Sequence, residues 1–430
     1  MESCRSCRGP APSTFLDLGV LAVANRLPVA AGAPEGRYPL QVGLCTQCAL
    51  VQLTWALPTA ALFDEDYPYF SSYSDTLVEH AARHVAGLVA ERHLGPQSLV
   101  VEIASNDGYL LAQLQDYQVP AVGVEPTPGP AAAAVARGVR TVQEFFGRDL
   151  AARLVQEHGQ ADVVIANNVL AHVPDLDDFV GGIALLVADQ GVVTIENPGV
   201  GSLLEACAFD TIYHEHYCYF SCLSVRALVA RHGLSLVHVE DFPRLHGGTL
   251  RWYLAKTGEP TQAVAEHLAA ERERGLHHLS TYQGFGASVA GLQRELFDEL
   301  TRRRRSGQRI AAYGAAAKGA TLLGSSGVDS RLVDFVVDRN EHKQGRFLPG
   351  TGIPILPTEA IGQRSPDVVL LLAWNVEDEV VRQQHDYLAG GGELLIPVPR
   401  LRSVRAAPGP GASPPVAGPD PTAGTGTAQS

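Results

Sequence analysis

The stretch SLVVEIASNDGYLL, Ser98 to Leu111, decides how the rest of the chain is read. From Leu99 to Ala104 it is an apolar run of strand length, broken only by Glu102. A polar turn, Ser105-Asn106-Asp107-Gly108, follows, and helical spacing is expected from Tyr109 to Tyr117. Strand, turn and helix form the opening unit of a doubly wound α/β sheet, whose ligands sit at the carboxyl ends of the strands. The turn lacks the spaced glycines that bring bare backbone N–H groups against a pyrophosphate. Glu102, Asp107 and Glu125 would repel a pyrophosphate, but they suit a ligand carrying an amine, a sulfonium and a ribose. S-adenosylmethionine has those groups, with Glu125 as the clamp on both ribose hydroxyls. A nicotinamide cofactor also wants an acidic residue there, but its glycine pattern is missing.

Outward from this unit the strand rhythm continues. AVGVEP (Ala121 to Pro126), ADVVIANN (Ala161 to Asn168) and GVVTIENP (Gly191 to Pro198) read as further strands, and SLVHVEDF with TLRWYLAKT reads as a late hairpin. Asn106 and Gly108 complete the cofactor turn, while Asn167 and Asn168 fall near the adenine or methionine end of the ligand. A second unit begins at RIAAYG, Arg309 to Gly314, runs through GAAAKG with Lys318, and continues in LVDFVVD, PDVVLLLAWN and GELLIPVP. It reads as a second, Rossmann-like domain. The expected organisation is 1–65 metal-stapled, 66–260 the first sheet, 261–305 a helical linker, 306–405 the second sheet, and 406–430 a disordered Pro/Gly/Ala/Ser/Thr tail.

Four of the seven cysteines form two C-x-x-C pairs, Cys4 with Cys7 and Cys45 with Cys48. Two such knuckles complete a tetrahedral zinc site with no position open for a catalytic water, so Zn2+ is expected to be structural. Cys207, Cys218 and Cys222 read as buried small residues. A net charge of −13 argues against nucleic acid as a partner, and the basic run Arg302 to Arg305 reads as a solvated helix end. There is no bilayer-length apolar run and no basic-then-apolar leader pattern, so a cytoplasmic protein without a membrane partner is expected.

The chemistry concentrates in FDTIYHEHYCYF, Phe209 to Phe220, where Tyr213, His214, Glu215 and His216 are consecutive. Four proton-active side chains in a row make a poor core, because each needs a partner or water. If the segment is extended, Tyr213 and Glu215 share one side and His214 and His216 the other; if helical, they fan around the axis. Histidine has the pKa to take a proton near neutrality, and a carboxylate can orient it or raise its basicity. A second metal site at His214 and His216 lacks a third ligand at a recognisable spacing. Tyr67, Tyr69 and Tyr73 in DYPYFSSYS either pack against a neighbouring domain or line a pocket, and His172 alone would read as structural.

Taken together, the two C-x-x-C pairs, VVEIASNDGYLL, NNVLAHVPD, IENPGV, FDTIYHEHYCYFS, HGGTLR, GAAAKG and KQGRFLPGTGIPI resemble the S-adenosylmethionine-dependent sugar C-methyltransferases of deoxysugar biosynthesis. The resemblance covers nearly all of the chain to about residue 405, in order. It implies a zinc-binding domain, a central class I methyltransferase sheet and a C-terminal Rossmann-like domain that helps hold a dTDP-4-keto-deoxysugar. It implies His216 as the base, Tyr213 and Glu215 as its helpers, Tyr67 and His172 in the same site, and Lys318 as a nucleotide-sugar contact. Asn197 and His214 are expected beside the substrate, and the enzyme is expected to be a monomer or homodimer. Removal of a proton next to the ketone would give an enolate able to take the methyl group. An O- or N-methyltransferase on a nucleotide sugar or related natural product, and a non-catalytic zinc-ribbon scaffold, are the alternatives.

Overall fold

The computed structural model describes residues 2–58, 62, 70–243, 245 and 247–406. Tyr67 and the tail beyond Ala406 therefore lie outside the described residues.

The N-terminal part is a small antiparallel sheet. Strands β1 (Ser13–Ala22) and β2 (Arg37–Leu44) lie between the two cysteine knuckles and pair with each other, and β3 (Val51–Leu53) follows the second knuckle onto β2. Between β3 and the central sheet, Ser74 caps the helix Asp75–Arg92 by accepting from the Leu77 N–H.

The central sheet contains β4 (Val100–Ile103), β5 (Ala121–Val124), β6 (Thr141–Val142), β7 (Ala161–Asn167) and β8 (Val187–Pro198). A two-residue strand, β9 (Cys218–Tyr219), then leaves for the N-terminal sheet and pairs with β3, before β10 (Ser235–Phe242) and β11 (Thr249–Ala255) close the central sheet. The strand order is β10-β11-β8-β7-β4-β5-β6, with β11 antiparallel to both neighbours and the other pairs parallel. A parallel doubly wound sheet closed by a reversed strand inserted at one edge is the class I methyltransferase topology, and the expected late hairpin is its reversed edge. The run Tyr109 to Tyr117, expected as an α-helix, is instead a 3-10 helix at Leu111–Tyr117 that ends where Gln118 turns left-handed.

The third sheet is a second doubly wound unit. Strands β12 (Ile310–Tyr313), β13 (Phe335–Val337), β14 (Phe347–Leu348), β15 (Ile353–Leu356), β16 (Val368–Leu371), β17 (Glu393–Ile396) and β18 (Arg402–Val404) take the order β14-β15-β13-β12-β16-β17-β18. Its five inner strands are parallel and only the edges reverse.

Residues 261–305 are more than a linker. Gln262–Glu273 buries Val264 and Leu268 in the core of the central sheet, and Glu271 accepts the backbone N–H groups of Cys222 and Leu223 at a buried helix start. Leu279–Arg305 buries Val289, Leu296 and Leu300 in the core shared by the N-terminal and C-terminal sheets. The basic run at its end is ion-paired: Arg302 with Glu299, Arg303 with Glu299 and Glu393, Arg304 with Asp334. No helix among the described residues is long and apolar enough to cross a membrane.

Candidate active site

The four knuckle sulfurs lie within 4.8 Å of one another, and the Cys4–Cys48 and Cys7–Cys45 pairs are each 3.6 Å apart. A tetrahedron of thiolates at the usual zinc–sulfur distance has edges of about 3.8 Å, so the set fits Zn2+. Both knuckles use the same backbone: Arg8 and Ala49, one residue past the second cysteine of each pair, are left-handed, and their N–H groups return to the carbonyls of Cys4 and Cys45. Gln52 supports the metal end, donating to Cys4 Sγ at 3.1 Å and accepting the Arg5 N–H at 2.9 Å. Gln52 lies on β3 opposite Cys218 of β9, so the knuckle reaches the proton-active segment through one ladder step.

The carboxyl ends of the central strands are acidic. Glu102 is buried at the end of β4, and its carboxyl is pushed well above the usual range by burial and by Glu125, Asp107 and Glu196. Its Oε2 has no partner among the described residues, and neither has the buried Asn167 Oδ1 at the end of β7. Glu125 braces the turn itself: it accepts the N–H groups of Asn106 at 3.0 Å and Thr127 at 2.9 Å, and the Thr127 hydroxyl. Gly108 has φ +75, and a Cβ there would meet Val139 Cγ2 at 3.0 Å, so backbone alone fits. Orphaned buried oxygens of Glu102, Asp107 and Asn167 and the raised carboxyls of Glu102 and Glu125 are a polar set suited to a cation with hydroxyl and amine groups, which S-adenosylmethionine presents. Asp107 is tied to the turn through Oδ2, while its buried Oδ1 has no partner among the described residues. It is paired with Arg137 at 2.8 Å and accepts the Ser72 N–H, while Asn106 Oδ1 accepts the Ser71 N–H. Asn168 turns left-handed, and its N–H reaches Glu196 O at 2.7 Å.

The proton-active residues are neither strand nor helix. The His216 N–H bonds to Tyr213 O at 2.9 Å, a tight turn that brings residues three apart onto one side. The Tyr213 and His216 rings therefore stack at 4.0 Å, and the Tyr213 hydroxyl donates to His216 Nε2 at 2.9 Å. His216 Nδ1–H donates to Thr211 O at 2.8 Å, which fixes the neutral tautomer with its lone pair on Nε2. His172 lies 4.7 Å from that ring and donates from Nδ1 to Glu215 O at 2.7 Å. Burial holds both imidazoles down, His172 to about 4 and His216 well below 6.5, with His172 and Lys318 adding to the effect on His216.

Two sequence expectations are corrected here. The Glu215 carboxylate does not orient His216; it accepts the Asn25 N–H and side-chain amide, at 3.2 and 3.1 Å, in the N-terminal part. His214 turns the same way, donating from Nε2 to Tyr38 O at 3.2 Å with its ring edge against Tyr38, so the side chain expected beside the substrate packs against the N-terminal part. The tight turn explains both, because extended alternation would have paired His214 with His216. Asn197 is buried near the end of β8, with Oδ1 unpartnered among the described residues.

Lys318 lies in the first turn of the helix Ala317–Ser325. Its Nζ lies 4.8 Å over the Trp374 ring and 3.5 Å from Asn375 Oδ1. Sequence reasoning passed over two features. Asp210, in the turn before the motif, is fully buried and accepts the Trp374 indole N–H at 2.6 Å. Beneath the helix Asp75–Arg92, Glu196 accepts from His80 at 3.0 Å and from Arg251 Nε at 2.6 Å, which holds its carboxyl at about 2 despite burial. Aspartate in F-D-T was a visible signal; the Glu196 cluster joins segments over 100 residues apart and had none.

Comparison with known proteins matches three family models in chain order: "Putative zinc binding domain" over residues 4–63, "Methyltransferase domain" over 77–239, and "C-methyltransferase C-terminal domain" over 244–399. The C-methyltransferase NovU of Streptomyces niveus is 33% identical over 375 residues, which is 86% of this chain and 89% of that protein. Among solved structures, the magnesium protoporphyrin IX methyltransferase of Synechocystis PCC 6803 with bound SAM is 15% identical. That match covers 42% of this chain and 79% of that one, at a TM-score of 0.32. The 1,6-didemethyltoxoflavin-N1-methyltransferase of Burkholderia thailandensis is 20% identical, covering 42% and 78%, also at a TM-score of 0.32.

Proposed function

The chain belongs to the C-methyltransferase family, and from that premise we propose that it methylates a carbon next to the ketone of a dTDP-4-keto-deoxysugar, with His216 as the base. The observation that carries this reading is the neutral His216, whose Nδ1–H is held by Thr211 and whose Nε2 lone pair faces the Tyr213 hydroxyl.

S-adenosylmethionine, when bound, supplies an electrophilic methyl group on a sulfonium; Glu102, Glu125 and Asn167 are the residues that would hold it. Substrate takes the place of the Tyr213 hydroxyl on Nε2. The C–H bond next to the ketone breaks, its proton goes to His216 Nε2, and its electron pair is delocalised onto the ketone oxygen. Tyr213, displaced from Nε2, would donate its hydroxyl proton to that oxygen. The enolate carbon would then be the nucleophile for the sulfonium methyl group, whose S–C bond would break with its electron pair staying on sulfur, and His216 would return its proton to solvent. Holding the partners in register contributes about 7 kcal/mol or more to such a reaction. Zinc has a structural part only, since all four thiolates of its tetrahedron are used. The domain boundaries near residues 65, 260 and 305 and a sugar-nucleotide role for the third sheet belong to the same proposal.

The test is solvent deuterium exchange at the carbon next to the ketone, followed by mass spectrometry across a panel of dTDP-4-keto sugars without methyl donor. Exchange in the wild type and none in His216→Ala is expected. A methylated product formed without any such exchange would point to O- or N-transfer.

A further inference from the structure

The C-terminal sheet touches the proton-transfer turn at one buried place. The helix Ala317–Ser325 packs against the Phe209–Thr211 turn. There the Trp374 N–H reaches Asp210 Oδ2 at 2.6 Å, and Lys318 lies over the same indole ring. Asp210 Oδ1 is buried without a hydrogen-bond partner among the described residues. The next residue, Thr211, holds His216 by its carbonyl. Lysine, indole, aspartate and base thus form one continuous line from the third sheet to the catalytic turn.

We propose that Asp210 is a positioning residue that, through the Trp374 indole lying between them, holds the ammonium of Lys318 beside the proton-transfer turn, so that the acid–base site is completed only where the two sheets meet. This rests on the C-methylation reading, in which negative charge develops on a ketone oxygen beside His216. A fixed ammonium there stabilises that oxyanion without giving up its proton. Asp210 supplies the counter-charge that keeps a desolvated lysine protonated, while the cation–π contact fixes its direction. The groups facing Lys318 and His216 are Asp210, His172, Tyr213, Tyr219, Trp374 and Asn375.

The chain has three lysines, Lys256, Lys318 and Lys343, so 13C-lysine labelling gives a spectrum simple enough to assign with Lys318→Arg. Asp210→Asn keeps an acceptor for Trp374 and removes the charge. The Lys318 resonance should then titrate about one pH unit or more lower, and the basic limb of kcat/KM should move down with it. Lys318→Arg in the Asp210→Asn background should restore that limb, because guanidinium stays charged without a counter-ion. Lys318→Met, which leaves Asp210 in place, should lower kcat more than it raises KM and move the acid limb up, since His216 loses a neighbouring cation. An unmoved Lys318 titration in Asp210→Asn, or a limb that Lys318→Arg leaves displaced, overturns the proposal. If the wild type methylates no keto sugar, the functional reading fails, and the lysine titration still decides the Asp210–Lys318 pair.

Discussion

Residues 213–217 have two sides built for opposite purposes. On one side, Tyr213 and His216 face each other, with His172 beside them and Lys318 near by. On the other, His214, Glu215 and Tyr217 are stitched into the N-terminal part through Tyr38 O, Asn25 and Leu57 O. The stitched side continues directly into β9, which completes the zinc-domain sheet. The difference teaches that the same residue types serve chemistry or anchorage according to which way a tight turn sends them. The proposed base, whose hydrogen-bond partners among the described residues are a backbone carbonyl and a phenol, keeps its lone pair on the open side of the turn. A histidine and a glutamate whose side chains engage another domain hold that base in place.

The largest effect should come from the far end of the stitched side. Structural zinc sites contribute on the order of 10 kcal/mol to folding. Chelation, or Cys45→Ser, should therefore unfold the N-terminal sheet, free β9 and abolish methyl transfer, although zinc touches no reacting atom. Metal analysis should return about one zinc per chain, with loss of metal and loss of activity in parallel. Activity that survives complete metal removal would separate the two sides and break the comparison.

Next in size is the pocket side. His216→Ala should lower kcat by roughly 100- to 10,000-fold, the range for a general base, while binding of S-adenosylhomocysteine, measured by calorimetry, stays within a factor of about three. Because burial holds His216 well below 6.5, the proposed base is already neutral across the physiological range. The acid limb of kcat/KM should accordingly lie well below pH 6.5, and a limb near neutrality would contradict the buried, neutral tautomer.

Much of this was legible in the chain. Strands with apolar runs and β-branched residues announced themselves, as did the two knuckles and the acidic turn, because each is a local pattern with a local cause. Which way the motif's side chains point was not legible. Alternation and helical fanning were the available readings, and a single backbone bond from His216 N to Tyr213 O produces neither. Glu215 looked like the partner of its neighbour because adjacency in sequence suggests contact, whereas Asn25, which it meets, is 190 residues away. Asp210 was visible as a residue, but its partner Trp374 lies 164 residues on, in another sheet.

Glu215 gives a test of intermediate size through pH. Burial raises its carboxyl from 4.5 to about 7, so the folded state keeps a proton that the unfolded chain releases. Stability should fall as pH rises from about 4.5 to about 7, with a cost near 3 kcal/mol once both states are ionised. Glu215→Gln keeps an oxygen for Asn25 and removes the charge, but puts an N–H pair where Oε2 has no partner among the described residues. A net gain of about 1–2 kcal/mol at pH 8, and none at pH 4, is expected from denaturant unfolding. Turnover should fall far less than in His216→Ala; an equal fall would return Glu215 to the pocket side.

His214 should give the smallest effect, and it separates the two sides most directly because it is chemically identical to His216. Its ring is buried against Tyr38 and its Nε2–H bond to Tyr38 O is 3.2 Å, a single neutral bond on the stitched side. His214→Gln can offer an amide N–H to the same carbonyl, so it should cost about 1 kcal/mol in stability; His214→Ala, which also leaves a cavity, should cost about 2 kcal/mol. Burial keeps His214 neutral in the folded state, so its contribution is present above pH 6.5 and lost as pH falls through its depressed folded pKa. Either variant should therefore show a shallower acid-side decline in stability than the wild type, with kcat within a factor of about three by methyl-transfer assay at neutral pH. A folded His214→Ala enzyme as inactive as His216→Ala would mean that the turn presents both histidines to substrate during the reaction, and the anchored side would then be a state the enzyme leaves.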